Sequence, residues 1–387
     1  MILSGGGTAG HVYPALALAD RLVSTSCEVL YVGTPDSLEE RLVRADNVPF
    51  ASIEVQPLEQ DYRIWRGPDR ARYATLVTAP LSWIRARRPA TRIIERFNPD
   101  VVVGFGGYVC APIVWAAHRA HVPVVLHEQN SVMGKANRQL ARDATVVALT
   151  FEDTVSQVEG VTDARIVVTG NPVRPALRAT SRAQARQALG LADDDVFVLV
   201  FGGSRGARSL NEAVAHLART LLADEHVHIM HATGLRDFDD TVARAGLPSD
   251  FTRYRPVAYI DEMDTVMPGA DLVVCRAGST TIAEIGALAI PAILVPFPLA
   301  TGDHQTKNAR TLVEAGSAVL VRDDELGSAV FASTLEGLIA DADRRRTMRA
   351  HALALSQTDA LSALTDVVLE AGDAQNRDRV RHQDARR

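Results

Sequence analysis

The chain begins with a short apolar run, Met1-Ile2-Leu3, that passes through Ser4 into Gly5-Gly6-Gly7-Thr8-Ala9-Gly10; His11 and Pro14 then open a helix-like stretch. A strand, a glycine turn and a helix in that order leave few folds open. The helix has to cross back over the sheet, so the next strand lies parallel to the first. The glycines fit the G-x-G-x-x-G spacing, which lets backbone approach a phosphate while the N–H groups of the helix start attract negative charge. The same unit recurs in the second half, where Leu199-Val200-Phe201 runs into Gly202-Gly203-Ser204-Arg205-Gly206-Ala207. One such turn is equally well a tight turn with no ligand. Two of them, one heading each half, suit a pair of α/β domains that face a shared cleft, one for a donor phosphate and one for the acceptor side.

Other glycine-loop chemistries fit less well. An NAD site wants an acidic residue at the end of the second strand, and here that strand ends Val32-Gly33-Thr34-Pro35 with Asp36 late. No G-x-x-x-x-G-K-[ST] occurs, which excludes a P-loop at the level of the motif.

Short Val- and Leu-rich runs at 29–32, 101–105, 122–127 and 145–149 read as buried parallel strands, with helices at 14–24 and 90–97 between them. A second series follows at 196–201, 227–231, 272–275 and 292–296, with helices at 210–222 and 280–288. The first strand is shorter than the usual five or six residues; either the native start lies upstream or the strand is short. The best boundary is Gly170-Asn171-Pro172-Val173-Arg174-Pro175, because proline stiffens a crossing and neither periodic pattern passes through it. Residues 373–387 hold almost no apolar side chains and are expected to be a disordered tail.

At 387 residues, two or three domains are expected, each with its own core. The net charge of -6 does not fit a general nucleic-acid binder. Three distant cysteines, Cys27, Cys110 and Cys275, form no disulfide framework and no Cys-x-x-Cys pair. The opening residues show neither a basic nor an apolar signal region, and no apolar run reaches the ~18 residues of a membrane span. The reduced cytoplasm is the expected location.

Further polar clusters sit where open α/β sheets bind ligands, beyond strand ends. Cys275-Arg276-Ala277-Gly278-Ser279-Thr280-Thr281-Ile282-Ala283-Glu284 follows a strand and starts a helix, with small residues that leave room for a ligand. Thr281 and Glu284 share a helix face. Either the carboxylate accepts two hydrogen bonds from a ribose diol, or the pair is a capping box. Phe297 to Gln305 follows another strand and includes Asp303-His304-Gln305. His127-Glu128-Gln129-Asn130 ends a buried strand, where four polar residues are costly unless they line a site. Asp193-Asp194-Asp195 reads as a solvated cap rather than a metal motif. His226, His228 and His231 read as an ordinary strand, with no nearby carboxylate or cysteine cluster to complete a metal site. Residues 61–72 read as a surface loop. In 75–92, Leu81, Trp83 and Ile84 are interleaved with Arg85, Arg87, Arg88 and Arg92, a pattern that suits either a helix docking on an anionic bilayer or an amphipathic helix packed on the sheet.

Taken in order, Gly5 to Pro14, Gly106-Gly107-Tyr108, His127 to Asn130, Gly170 to Arg174, Gly202 to Ala207, Arg276 to Glu284 and Asp303-His304-Gln305 resemble the MurG family, the bacterial UDP-GlcNAc:lipid I N-acetylglucosaminyltransferases of glycosyltransferase family 28. The resemblance runs from about Ile2 to about Val368. It implies a GT-B fold, an α/β architecture of two Rossmann-like parallel-sheet domains facing a deep cleft. The acceptor and membrane-facing domain would span 1–172 and the UDP-GlcNAc domain 173–352. A helix at 353–370 would return to the first domain, and the tail would span 371–387. The implied activity is that of a hexosyltransferase in peptidoglycan synthesis: inverting transfer of GlcNAc from UDP-GlcNAc to the C4 hydroxyl of MurNAc in undecaprenyl-linked lipid I, without metal or other cofactor. Nearer alternatives of the same architecture are another glycolipid glycosyltransferase or a UDP-GlcNAc epimerase.

By motif match, the resemblance puts UDP-GlcNAc contacts on Thr8, Ala9, Gly10, Asn130, Arg174, Ser204, Ile260, Ser279, Thr280, Thr281, Ile282, Ala283, Glu284 and Gln305. Ile260 would read the uracil edge through its backbone, and Glu284 would hold the ribose. The acceptor side would take Gly106, Gly107, Tyr108 and Glu128. The membrane patch would take Leu81, Trp83, Ile84, Arg85, Arg87 and Arg88, on the cytoplasmic face of the cell membrane and in reach of the cell-wall synthesis machinery. His11 is the candidate general base, since an imidazole with an ordinary pKa near 6.5 suits proton abstraction close to neutrality. Three positions depart from the family pattern: Arg205 replaces a usual Gln, and Met133 and Lys135 replace a usual Pro and Leu.

Overall fold

The computed structural model describes the backbone of residues 1–55, 70–203, 206–248, 250–355 and 359–384, with side chains described there except at 70–81, 355 and 376–384. The chain divides into two compact units, one of 1–173 together with 359–387, the other of 174–358. The division falls inside the Gly170 to Pro175 segment, one residue after the position that the sequence suggests.

The first unit is built on seven parallel strands: β1 (Ile2–Ser4), β2 (Leu30–Gly33), β3 (Phe50–Ser52), β4 (Val102–Gly104), β5 (Val124–Glu128), β6 (Val146–Leu149) and β7 (Arg165–Val168), in the order β3-β2-β1-β4-β5-β6-β7. In register, Leu3 lies beside Tyr31 and Val103, and Val103 beside Val125. These residues fill one face of the sheet, while Ile2, Val102 and Val124 fill the other. Both faces are buried, as the period of two along a covered parallel sheet requires. Helices α1 (Ala9–Ser24), α2 (Leu38–Ala45), α3 (Arg70–Phe97), α4 (Cys110–Arg119) and α5 (Lys135–Leu140) carry the chain between strands.

Helix α1 starts five residues before Pro14, so the proline sits in its second turn rather than its first. Helix α3 joins the 75–92 and 90–97 segments that the sequence reads as helical into one helix, which runs through Pro80 and Pro89. The last helix, Ala360–Asp384, packs Leu364, Val367, Val368 and Ala371 into the core that holds Leu3, Leu18 and Leu22. Two expectations fail here. Residues 353–355 end the preceding helix, Ala342–Leu355, of the second unit, and the backbone beyond 371 is helical through Asp384 instead of disordered. A lack of apolar side chains argues against burial, but it does not lower the helix propensity of Ala, Gln and Arg.

The second unit has six parallel strands: β8 (Val196–Phe201), β9 (Val227–Ala232), β10 (Tyr254–Val257), β11 (Leu272–Cys275), β12 (Ala292–Leu294) and β13 (Ala318–Leu320), in the order β10-β9-β8-β11-β12-β13. Both sheets thus reverse strand order beside their first strand. Loops beyond the carboxyl ends of the strands at such a point are where doubly wound folds bind ligands.

Candidate functional site

In the first unit, two glycine loops leave the adjacent strands β1 and β4 and lie against each other. Gly6 N–H donates to the Gly106 carbonyl at 3.3 Å. Gly107 has φ +85°, and a Cβ there would stand 2.5 Å from the Gly6 carbonyl oxygen. Replacing Gly107 by alanine combines left-handed strain with a backbone clash and is expected to cost more than ~1 kcal/mol, read as a fall in the thermal unfolding midpoint.

His11, in the first turn of α1, turns its ring back onto this loop. Its Nδ1 lies 2.8 Å from the Gly6 carbonyl oxygen and 3.3 Å from the Thr8 hydroxyl. A carbonyl only accepts, so Nδ1 is the protonated nitrogen and the neutral ring keeps its lone pair on Nε2. A Cβ on Gly106 would come within 3.3 Å of that Nε2 and 3.4 Å of Asn137 Nδ2, which places the basic nitrogen in the small space that the glycine leaves open. Tyr108, half-buried beside Gly7, is raised above the ordinary phenol pKa chiefly by burial, against a hydrogen bond with Thr34 that lowers it.

At the end of β5 the four polar residues are mostly engaged with one another. His127 is fully buried, meets the Gly170 carbonyl through Nε2 at 2.9 Å and Gln129 Nε2 through Nδ1 at 3.0 Å, and is pushed down to about 4 by desolvation. It is neutral at physiological pH. Glu128 is buried too. Its Oε1 accepts from the backbone and side-chain N–H groups of Asn130 at 3.0 and 3.2 Å, and its Oε2 from Gly134 N and Asn137 Nδ2, both at 2.9 Å. The carboxylate therefore shapes the loop that carries Asn130, and any effect on an acceptor passes through that loop.

In the second unit the glycine turn after β8 is tight: a Cβ on Gly202 would stand 2.4 Å from Ala207 N, and one on Gly206 2.5 Å from the Thr233 carbonyl. Ser204 and Arg205 lie outside the described residues. After β11, the helix Ser279–Leu288 is capped at Gly278, so its first turn is Ser279, Thr280 and Thr281. Thr281 lies inside the helix, and the capping-box reading of Thr281 and Glu284 does not hold. Glu284 is buried with 8% exposure, and desolvation raises its carboxyl to about 7, partly offset by the Arg174 guanidinium. Ile282 is buried, and Ile260 follows β10, also buried. Gln305 starts the helix His304–Glu314 and accepts from Phe297 N at 2.8 Å.

Several side chains that shape these loops were given no role of their own from the sequence, although Arg276 stands in one of its motifs. Arg276 is buried between Asp323 (2.6 Å), the Val295 and Pro296 carbonyls (3.3 and 3.1 Å) and the Ser209 hydroxyl (3.0 Å), and so ties the 276–279 loop to the end of β12. Asn137 and Glu39 do similar work in the first unit. Only the run of polar residues at strand ends hinted at them.

Away from the loops, the amino ends of β8 and β9 bring together groups that the sequence separates. His228 Nε2 lies 3.2 Å from Asp195, and His226 Nδ1 lies 3.4 Å from Asp194 and 3.6 Å from Asp195. The sequence expectation that no carboxylate stands near these histidines is therefore corrected: parallel pairing of β8 with β9 makes them neighbours.

On α3, Ile84 is 57% exposed and Arg85, Arg87 and Arg88 are exposed, while Trp83 packs against the core. Trp83 thus faces inward with Ala86, Ala90 and Ile94, and only one of the apolar residues with a described side chain faces out. Arg87 stacks over Trp115 at 4.6 Å. The Leu81 side chain, like most of the 61–72 segment, lies outside the described residues. Among the described residues, no helix is long and apolar enough to cross a membrane.

Two Rossmann-like units, each with a glycine turn after its first strand, and in the second a helix start near a buried acid and an arginine, fit the GT-B architecture of nucleotide-sugar enzymes. The models of the glycosyltransferase family 28 N-terminal and C-terminal domains match residues 1–149 and 197–364. The chain belongs to glycosyltransferase family 28. Similar curated proteins include one from Nocardioides sp., 40% identical over 378 residues, with 96% of this chain and 98% of that one covered. Another, from Halothermothrix orenii, is 39% identical over 352 residues, covering 90% and 92%. Both are named as UDP-N-acetylglucosamine–N-acetylmuramyl-(pentapeptide) pyrophosphoryl-undecaprenol N-acetylglucosamine transferases. The crystal structure of Acinetobacter baumannii MurG is 29% identical with a TM-score of 0.68 and covers 95% of this chain and 99% of that one. A putative UDP-N-acetylglucosamine 2-epimerase from Listeria monocytogenes, 15% identical with a TM-score of 0.65, shares the fold.

Proposed function

We propose that the chain transfers GlcNAc from UDP-GlcNAc to the C4 hydroxyl of MurNAc in undecaprenyl-linked lipid I, giving lipid II and UDP. The observation that carries this reading is the likeness, 35–40% identical along nearly the whole chain, to transferases named for these substrates. The acceptor oxygen attacks the anomeric carbon as the bond to the diphosphate breaks, with inversion. The hydroxyl proton passes to Nε2 of His11, and the bonding pair leaves on UDP. Backbone N–H groups at Ser279, Thr280 and Thr281, with Arg174, spread the charge of the departing diphosphate. Glu284 accepts from the ribose diol, the Ile260 backbone reads the uracil edge, and Asn130, Ser204 and Gln305 complete the hold on the donor with Thr8, Ala9 and Gly10. Gly106, Gly107 and Tyr108 face the acceptor, and Glu128 keeps the neighbouring loop in shape. No resident cofactor enters this scheme.

The decisive experiment mixes the protein with radiolabelled UDP-GlcNAc and a lipid I analogue. Label in a disaccharide-linked lipid is expected. Epimerised UDP-sugar with no lipid product overturns the reading in favour of an epimerase, and transfer only to another glycolipid favours a different transferase.

Docking on the anionic cytoplasmic face of the membrane is part of the same proposal, with Ile84, Arg85 and Arg88 on the outward side of α3. Each arginine contributes ~1 kcal/mol of attraction to such a surface. Reversing the charge of Arg85 and Arg88 is expected to release the protein from anionic vesicles; co-sedimentation equal to that of the unaltered chain would refute the patch.

A further inference from the structure

We propose that Glu39 is a positioning residue for His11 and acts on it through the peptide bond between Gly6 and Gly7; the inference rests on the reading of His11 as the base. His11 Nδ1 donates to the Gly6 carbonyl at 2.8 Å. The N–H of that same peptide unit, on Gly7, donates to Glu39 Oε2 at 3.4 Å. A carboxylate on the N–H side of an amide draws electron density onto its carbonyl oxygen, because the two hydrogen bonds polarise one shared resonance system. The carbonyl then accepts more strongly from Nδ1–H, which fixes the tautomer, orients the ring and makes Nε2 more basic. A base held by a third group recurs in hydrolytic triads, where the carboxylate touches the imidazole directly. Here a peptide unit stands between them.

The carboxylate is placed for this. Glu39 is 1% exposed and lies in the first turn of α2, where the helix dipole favours negative charge. Its Oε1 accepts from Thr34 N at 3.4 Å and from the Thr34 hydroxyl. The surrounding glycines leave it room: a Cβ on Gly6 would stand 2.7 Å from Oε1, and one on Gly33 would meet Glu39 Cγ at 3.0 Å.

The other titratable groups packed here stay neutral near pH 7. From β2, Tyr31 donates to the Gly5 carbonyl at 2.7 Å, and burial raises it well above the usual phenol range. Tyr108, after β4, is also raised by burial. Cys110 on α4 lies 2.9 Å from the Ser4 and Gly106 carbonyls and is pushed up to about 12 by burial. His127 on β5 is held near 4 by desolvation. Glu40, the next residue on α2, pairs with Arg44 in solvent.

The test compares Glu39→Gln, Glu39→Asp and His11→Ala in steady-state kinetics across pH, with UDP-GlcNAc affinity as the check on folding. Glu39→Gln is expected to lower kcat about 10- to 100-fold, the range for partners that orient functional histidines. The KM for UDP-GlcNAc should hold, and the acidic limb of the kcat/KM profile should move to lower pH. Glu39→Asp keeps the charge and should recover part of the rate. A fall in kcat with no movement of the acidic limb means a purely structural role and overturns the proposal. Selective 15N-histidine labelling of the unaltered chain gives a readout that no variant's folding affects: the Nδ1–H tautomer is expected at His11, and an Nε2–H tautomer overturns the proposal. A near-normal rate for His11→Ala removes the base reading itself. An inactive His11→Ala beside an unshifted Glu39→Gln profile removes only the role of Glu39.

Discussion

Replacing His11 by alanine is expected to cut turnover about 10²- to 10⁴-fold while UDP-GlcNAc still binds, the loss typical of a missing general base. In barrier terms this is roughly 3–5 kcal/mol. The expectation follows from one contact: the Gly6 carbonyl occupies Nδ1 and leaves Nε2 as the nitrogen able to take a proton. His11→Gln separates the roles, since its amide N–H can still donate to the loop but the side chain is no base. A glutamine variant as slow as the alanine variant supports proton transfer. Near-normal turnover in either would mean that the ring only braces the first turn of α1.

The second large effect concerns the donor. Glu284 sits in a buried setting that raises its carboxyl to about 7. On the proposed reading, an ionised carboxylate can accept from both hydroxyls of the ribose; the protonated form gives up one acceptor site. A raised pKa means that the ionised form is lost as pH falls through about 7, so the affinity for UDP-GlcNAc should weaken toward acid, by up to tenfold per pH unit. Glu284→Ala removes the acceptor altogether. At ~1.5–3 kcal/mol for each of two hydrogen bonds to a charged group, the dissociation constant should rise about 10²- to 10⁴-fold. Isothermal titration of UDP-GlcNAc at pH 6 and pH 8 checks both statements. An affinity that does not vary with pH, or an alanine variant that binds as tightly as the original, places the ribose elsewhere.

The strands legible in the sequence are those with neighbours on both sides. The sequence picks out β1, β2, β4, β5 and β6, and β8, β9, β11 and β12. The four it passes over, β3, β7, β10 and β13, are the four edges of the two sheets; β3 and β13 are only three residues long. An edge strand shares one of its sides with solvent, so β7 reads Arg165-Ile166-Val167-Val168 with both ends exposed, and β10 carries Arg255 and Pro256. The pattern that marks a buried strand is absent there for a physical reason.

The site was legible in a different way. Glycine turns and polar strand ends mark candidate ligand loops in the sequence, beyond the carboxyl ends of the strands. The residues that support those turns were not legible. Glu39 lies on α2 and Arg276 opens a loop; each is an ordinary charged residue in sequence and becomes informative only when folding brings Gly7 or Asp323 to it. The pairing of Asp195 with His226 and His228 was hidden in the same way by the helix Arg208–Leu221 between β8 and β9.

The helix Ala360–Asp384 closes the core of the first unit with residues that follow the whole of the second unit in the chain. During synthesis, the stretch from Arg174 onward can complete its own sheet while the opening domain still lacks Leu364, Val367 and Val368 against Leu18 and Leu22. A stop codon near residue 355 would leave the second lobe whole and the first with an open greasy flank, prone to clumping rather than merely slow.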